Sequence, residues 1–310
     1  SPEQFNVTSY DATAVAIITF EALAGMWINA FIVSVIGMSW VKKKTLNSYE
    51  KILLLLGCSR FCFLCVSWVF SLLSIIYPNY LYAHLTLELF AFFQNFFSYS
   101  SLWFSACLYV FYCIKIANFR NSFFIYLKVK INRIVPWLLL GSVLLSLVIA
   151  IVIYDFSNEP HCNNSTGQVS FWKLKIQTDE QFFSVNFMTG FGYAVSFMAV
   201  TFSAILLLFS LWKHKCNMQT NSVKDLSMDA HIKAMKSIIS FFVMYSINFV
   251  SLIAGMIYST TEENLMMFLI YIFLYAFPSV HSLILIFSNP SLETTLLRIL
   301  PCVKCKVCMK

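Results

Sequence analysis

Residues Ile134–Tyr154 read IVPWLLLGSVLLSLVIAIVIY, twenty-one positions without one charged side chain. A hydrocarbon core of about 30 Å takes ~20 helical residues to cross. This stretch therefore reads as a single membrane-spanning helix. Working outward, six more runs are comparably long and apolar: Ala12–Ser39, Ile52–Ile76, Leu85–Ile114, Phe182–Trp212, Ile238–Tyr258 and Leu265–Phe287. The shorter buried helices of a water-soluble protein do not repeat at such length. With 59% hydrophobic and 11% charged residues and a mean hydropathy of +0.76, too little polar surface remains to cover a soluble globule. The fold class is an all-α membrane protein, a seven-transmembrane helical bundle.

The charged residues sort the loops into two sets. One set and the C-terminal tail hold Lys42, Lys43, Lys44, Lys51; Lys115, Arg120, Lys128, Lys130, Arg133; Lys213, Lys215, Lys224, Lys233, Lys236; and Arg298, Lys304, Lys306, Lys310. The opposite set holds only Lys173 and Lys175. Cationic loops are retained in the cytosol, which predicts the N-terminus outside and the C-terminus inside. The net charge of +7 is thus a topology signal and points to no nucleic-acid partner. The division that follows is an extracellular N-terminus (1–11), a membrane domain (12–288) and a cytosolic tail (289–310). Within the membrane domain lie a long external loop (155–181) and a basic internal one (213–236). Residues Ser1–Asp11 contain no apolar signal-peptide core, so insertion is expected to rely on the first span.

Sequons at Asn6, Asn163 and Asn164 fall in segments assigned to the outside, as glycosylation requires. Trp40, Trp137 and Trp212 sit near the inner span ends, where amphipathic rings anchor at the interface. Of ten cysteines, Cys162 alone faces outside and has no external partner for a disulfide. Cys302, Cys305 and Cys308 form a Cys-x-x-Cys-x-x-Cys cluster beside lysines. Zinc would want a fourth ligand, and none is near. Palmitoylation of a juxtamembrane segment fits better, with an unmodified reduced cluster as the alternative.

Polar residues inside spans are costly and need a reason. Asn29 and Arg60 lie at similar depth, roughly 16–18 Å from the inner ends of spans one and two, so a direct contact between them is expected. Glu21 lies two turns further out on a similar face. Such a network serves either to lock helices together or to switch them. The five histidines show neither metal-ligand spacing nor a catalytic arrangement with the scattered carboxylates. Neither a cofactor nor an enzyme activity is expected.

Several stretches are more specific. Span three reads Trp103-Phe-Ser-Ala-Cys-Leu-Tyr-Val-Phe-Tyr-Cys-Ile-Lys115-Ile-Ala-Asn-Phe-Arg120. Span five ends Leu207-Leu-Phe-Ser-Leu-Trp-Lys-His214, and span six opens Asp229-Ala-His231-Ile-Lys-Ala-Met-Lys236. Span seven closes Pro278-Ser-Val-His281-Ser282-Leu-Ile-Leu-Ile-Phe-Ser-Asn289-Pro. Together with Glu21, Gly25, Asn29 and Ser59-Arg60, these resemble the vertebrate bitter taste receptors along essentially the whole chain. The acidic-Arg-Tyr, Cys-Trp-x-Pro and Asn-Pro-x-x-Tyr motifs of rhodopsin-like receptors are absent. Vomeronasal type-1 receptors share some of these departures and are the alternative within the receptor class. A transporter or channel is the alternative outside it, suggested by Arg60, Glu21 and Glu88.

The resemblance implies a plasma-membrane G-protein-coupled receptor for bitter small molecules. It implies coupling to a gustducin-like G protein with phospholipase C and calcium signalling. It also implies a ligand site around Trp103, three to four turns below the outer end of span three, with Cys107 one turn deeper and Phe111 as the floor. Many relatives carry Asn at the position of Cys107. Ser71, Tyr245, Asn248, Leu252 and Tyr271 complete the ring, although ordinary packing accounts for Phe111 and Leu252 at least as well. Tyr112, Lys115, His214, Lys215, His231 and Lys236 are the expected G-protein-coupling residues. Glu21, Asn29, Arg60, His281 and Ser282 form the intramembrane network. Ser196 stands where many relatives have proline, which removes the usual cause of a kink. A membrane lipid or sterol in the pocket remains open, and a short membrane-lying helix is expected from Asn289 to near Pro301.

Overall fold

A chain in hydrocarbon must satisfy its own backbone groups, and the helix does so locally. The computed structural model describes residues 9–76, 84–117, 121–157, 179–220, 226–258 and 264–307. These form α1 (Ser9–Lys43), α2 (Ser48–Ile76), α3 (His84–Ile116), α4 (Ser122–Ser157), α5 (Asp179–Thr220), α6 (Leu226–Tyr258), α7 (Asn264–Ser288) and α8 (Pro290–Val307). No strand occurs among the described residues. Helices α1 to α7 each contain a stretch long and apolar enough to cross a bilayer. The sequence reading of a seven-span helical bundle is correct.

Three helix starts and one stop follow from local chemistry. Asn47 precedes α2, and the Glu50 carboxylate accepts the Asn47 N–H at 2.9 Å, one half of a capping box. Asn121 caps α4 by accepting the Phe123 N–H at 2.9 Å. Asn289 caps α8 by accepting the Ser291 N–H at 2.9 Å, with Pro290 at the first helical position, where its missing N–H costs nothing. At the end of α1, Lys44 adopts φ 56° and donates its N–H to the Trp40 carbonyl at 2.7 Å.

Helices run beyond the apolar runs that announce them. α4 begins twelve residues before Ile134, because Asn121 nucleates it and nothing helix-breaking intervenes. The span 213–236, read as a loop, is helical at both ends: α5 continues to Thr220 and α6 starts at Leu226. α8 also passes Pro301 and ends at Val307, past its expected stop. Extending an existing helix costs far less than nucleating one, so polar sequence alone does not stop it. Asn6, Cys162, Asn163, Asn164 and Cys308 lie outside the described residues.

α3 sits at the centre of one half of the bundle, packed on α2, α4 and α5, while α7 packs on α1, α6 and α8. Pairing of α1 with α2 and of α5 with α6 closes the ring. Gly25 sets the α1–α7 distance: a Cβ there would overlap Ser279 Oγ and come within 2.6 Å of Leu64 Cδ1. Trp40, Trp137 and Trp212 are all exposed on the outside of the bundle, as interface anchors must be.

Candidate functional site

Two joints hold the interior. The first is centred on Arg60 of α2, which is fully buried. Its Nε–H donates to Ser101 Oγ at 3.2 Å and Nη2–H to Ser105 Oγ at 3.1 Å, both on α3. Nη1–H donates to Ser282 Oγ at 2.9 Å, and Nη2 also bonds His281 Nδ1, both on α7. The Phe277 ring centroid lies 5.7 Å from the guanidinium carbon, a cation–π contact in a desolvated site. Ser282 passes its own hydroxyl proton on, donating to Asn29 Oδ1 of α1 at 2.8 Å. Asn29 in turn donates to the Gly25 carbonyl at 2.8 Å. Because a guanidinium only donates, His281 Nδ1 is the acceptor, and the ring proton then sits on Nε2. That Nε2 is buried without a hydrogen-bond partner.

This corrects the sequence reading in two respects. Asn29 and Arg60 do not bond each other; the Ser282 hydroxyl stands between them and serves both. Glu21 is outside the joint: its main-chain carbonyl accepts a long bond from Ser279 at 3.5 Å, while carboxylate Oε2 is buried and unpartnered. The serines of α3 were missed. Their signal was available, since Ser101 and Ser105 are four apart and therefore on one helix face.

The second joint is aromatic and lies where α3, α5, α6 and α7 converge. Tyr109 of α3 meets Phe241 at 5.7 Å and Tyr245 at 6.3 Å between ring centroids. Tyr245 contacts Phe277 at 5.9 Å and stacks on Phe197 at 6.4 Å; Phe197 stacks on Phe249 at 4.3 Å. A hydrogen bond crosses from α5 to α6, between Ser196 Oγ and Tyr245 Oη at 3.1 Å. The sequence flagged Ser196 only as a missing proline, and α5 indeed passes through it as one continuous helix. Phe241 also meets the His281 ring edge-on at 4.9 Å, so the two joints touch.

The expected ligand ring is dispersed among these elements. Trp103 stands nineteen residues into α3, roughly five turns and deeper than the sequence suggests. It packs against the main core, and its indole Nε1 is buried without a hydrogen-bond partner. Cys107 turns toward α4, with Sγ 3.4 Å from Ser142 Oγ. Phe111 and Tyr245 are core residues, and Leu252 packs on the same core. Ser71 donates to the Ser67 carbonyl at 2.9 Å, and Tyr271 meets the Tyr275 ring at 6.4 Å. Asn248 is buried, 6% exposed.

Two kinds of comparison with known proteins converge on this architecture. Residues 7–304 match the model of the taste receptor protein family (TAS2R). Human taste receptor type 2 member 2 is 34% identical over 294 residues, covering 93% of this chain and 95% of the relative. Human taste receptor type 2 member 9 is 32% identical with 96% of each covered, and the Macaca mulatta member 7 is 32% identical with 90% of each covered. The chain belongs to the type 2 taste receptor family. It is accordingly a multi-pass, seven-transmembrane G-protein-coupled receptor of the bitter-taste class and not an enzyme. The vomeronasal alternative is set aside.

At the basic end of the receptor, the Tyr112 ring lies 5.7 Å from Tyr49 of α2, and Asn289 Nδ2–H donates to Tyr49 Oη at 3.3 Å. This ties the foot of α3 to the start of α8 through α2. Lys115 is exposed one turn below Tyr112. His214 and Lys215 occupy the last turns of α5, and His231 and Lys236 the first turns of α6. The side chains of these four, and those of Cys302 and Cys305 in α8, lie outside the described residues.

Proposed function

We propose that this receptor binds bitter small molecules inside the half of its bundle that carries the N-terminus. On this reading agonist binding activates a gustducin-like G protein with phospholipase C and calcium signalling. The observation that carries the ligand site is a polar group without a partner in the interior. The Trp103 indole N–H is buried and unbonded, and Asn248 is a further buried polar side chain. Native proteins leave few such groups unsatisfied, and a ligand with a complementary acceptor removes the penalty at Trp103. Trp103 supplies the largest apolar surface for stacking as well. Ser71, Tyr271 and Leu252 are the further contacts proposed around it, with Cys107, Phe111 and Tyr245 shaping the wall behind. An apolar site with few polar anchors suits binding of varied compounds at modest affinity.

The orientation that goes with this reading places the N-terminus outside and the basic end in the cytosol of the plasma membrane. Eighteen lysines and arginines in the first, third and fifth connections and the tail support it, against two in the opposite connections. Asn6, Asn163 and Asn164 are then glycosylation sites, and Cys302, Cys305 and Cys308 palmitoylation sites. Tyr112, Lys115, His214, Lys215, His231 and Lys236 surround the opening where the G protein engages. A conduction path finds no support in Arg60, which is enclosed by Ser101, Ser105, His281 and Ser282.

The test is calcium release from cells carrying the receptor and a promiscuous G protein, screened against a panel of bitter compounds. The expected outcome is a response in the parent that falls by tenfold or more in potency in a Trp103→Ala line of equal surface expression, the order expected for losing a stacked aromatic contact. A parent that stays silent at normal surface density overturns the ligand class. Equal potency in the two lines overturns the site.

A further inference from the structure

α2 carries three free thiols at helical spacing, Cys58, Cys62 and Cys65, all half-buried within its membrane-spanning stretch. Residues three and four apart share one helix face, so the three sulfurs form a stripe. The Cys65 end of the stripe meets α1, where Cys65 Sγ lies 3.2 Å from Met26 Sδ. Cys62 is close enough to both Cys58 and Cys65 for the charges of their thiolates to interact. Neither the Arg60 joint nor the aromatic joint uses any of these sulfurs.

The donor chemistry narrows the choice of ligand. Among the described residues no three His, Cys, Asp or Glu side chains are grouped to hold a metal ion. Hard cations and tetrahedral zinc therefore find no ligand set here. Two thiolates and a thioether are instead the donors that select a soft monovalent ion such as Cu(I). With metal–sulfur bonds of about 2.3 Å, seating the ion parts the Cys65 and Met26 sulfurs by less than about 1 Å. A thioether on three rotatable bonds gives that much. Cys62 and Cys65 each release a proton on binding, so two thiolates and one monovalent cation leave a single net negative charge. Arg60 supplies the opposite charge from two residues before Cys62. Its own bonding partners are three serines and His281, with no carboxylate among them. Opposite charges buried near each other cost less than either alone.

We propose that Met26, Cys62 and Cys65 form a site for a soft monovalent metal ion, Cu(I) or Ag(I), between α1 and α2. It is separate from the agonist site proposed around Trp103. Met26 also packs against the cluster of Ile18, Leu64 and Tyr275, so a bound ion ties α1 to α2 beside α7.

The experiment titrates the purified full chain in detergent, without oxygen, against the coloured Cu(I)–bicinchoninate complex. Cys162, Cys216, Cys302, Cys305 and Cys308 are replaced by serine, which removes the thiols outside the spans. This background is expected to take up one equivalent of Cu(I). Cys62→Ser and Cys65→Ser are each expected to weaken uptake by at least tenfold. Met26→Leu, which keeps the volume, is expected to weaken it several-fold, and Cys58→Ser to leave it unchanged. Cu(I) should raise the unfolding temperature of the background and not that of the Cys62→Ser/Cys65→Ser double variant. The double variant's own cooperative transition shows that it is folded. No uptake by the background, or one equivalent retained by the double variant, overturns the site. Loss in Cys58→Ser but not in Cys65→Ser moves the ion away from Met26 and overturns the ligand assignment. Unchanged affinity in Met26→Leu overturns the role of the thioether. Displacement of Cu(I) by an equal concentration of Zn(II) overturns the soft-metal class.

Discussion

Where α1, α2, α3 and α7 meet, polar side chains hold the helices together; where α3, α5 and α6 meet, rings do. At the first joint Arg60 reaches two helices at once, and Ser282 links it onward to a third through bonds of 2.8–3.2 Å. Hydrogen bonds weaken steeply with small displacements, and a buried guanidinium that loses an acceptor has no water to replace it. At the second joint the rings stand 4.3–6.4 Å apart, with a hydrogen bond between Ser196 and Tyr245 beside them. Stacked and edge-on rings keep most of their contact energy when they slide. The contrast assigns α1, α2, α3 and α7 to a frame that resists shear, and leaves α5 and α6 as the pair able to shift against it. Such a shift is one of the usual ways a bundle opens at one end.

Breaking the polar joint has the largest expected effect. Arg60→Ala leaves a cavity in the middle of the bundle and removes the donor that Ser101, Ser105 and His281 all face. A loss of about 3–5 kcal/mol is expected, read as collapse of surface expression and a lower unfolding temperature in detergent. Arg60→Met should recover much of that loss, since it keeps the volume and removes a desolvated charge. If both variants unfold alike, the joint depends on the charge itself and the argument from volume fails. Next comes Gly25→Val, expected to cost about 1–3 kcal/mol by forcing α1 away from Ser279 and Leu64. An unchanged unfolding temperature there would mean that the α1–α7 contact yields, and the frame is softer than its geometry. Asn289→Ala is smaller again, about 1 kcal/mol for a lost cap. It should appear as faster amide exchange confined to the first turn of α8.

The two joints also differed in how far the sequence disclosed them. Charged and amide residues in a span are rare, so Asn29 and Arg60 identify themselves as network members before any coordinates are known, whereas Ser282 entered only through the family resemblance. Which atoms meet was not legible, because depth along a helix is read from residue counts but rotation about it is not. That is why a direct Asn29–Arg60 bond was expected and a Ser282 relay is found. Glu21 misled for the same reason: its depth and face were compatible, yet its carboxylate turns elsewhere. The aromatic joint gave almost no advance signal. In a chain with 32 Phe and 15 Tyr, composition does not single out Tyr109, Phe197 and Phe249 from the rings that face lipid. The seven spans were legible throughout, whereas the helical ends of residues 213–236 were not, since polarity marks the membrane boundary and not the end of a helix.

The smallest effect is also the one that probes the comparison most directly. Tyr245→Phe removes one hydroxyl and keeps every ring contact around it, and Ser196→Ala removes the partner. Each alone should cost about 0.5–1.5 kcal/mol. The loss in the double variant should fall short of their sum, because the two hydroxyls form one bond. Ser196 also donates toward the Tyr193 carbonyl at 3.0 Å, so part of its bonding survives the loss of Tyr245 Oη. For that reason Tyr245→Phe is expected to be the milder of the two single changes, since Ser196→Ala leaves the buried Tyr245 hydroxyl without its partner. If the α5–α6 pair is the mobile layer, loosening it should alter signalling more than stability. Basal calcium signalling at equal surface density is expected to change by up to roughly fivefold, the equivalent of about 1 kcal/mol, while the unfolding temperature hardly moves. Additive losses in the double variant would show that the 3.1 Å pair contributes no coupling, leaving packing alone to join α5 and α6. A large loss of stability with unchanged signalling would instead put this joint in the frame, and the division between a rigid and a sliding layer would fall.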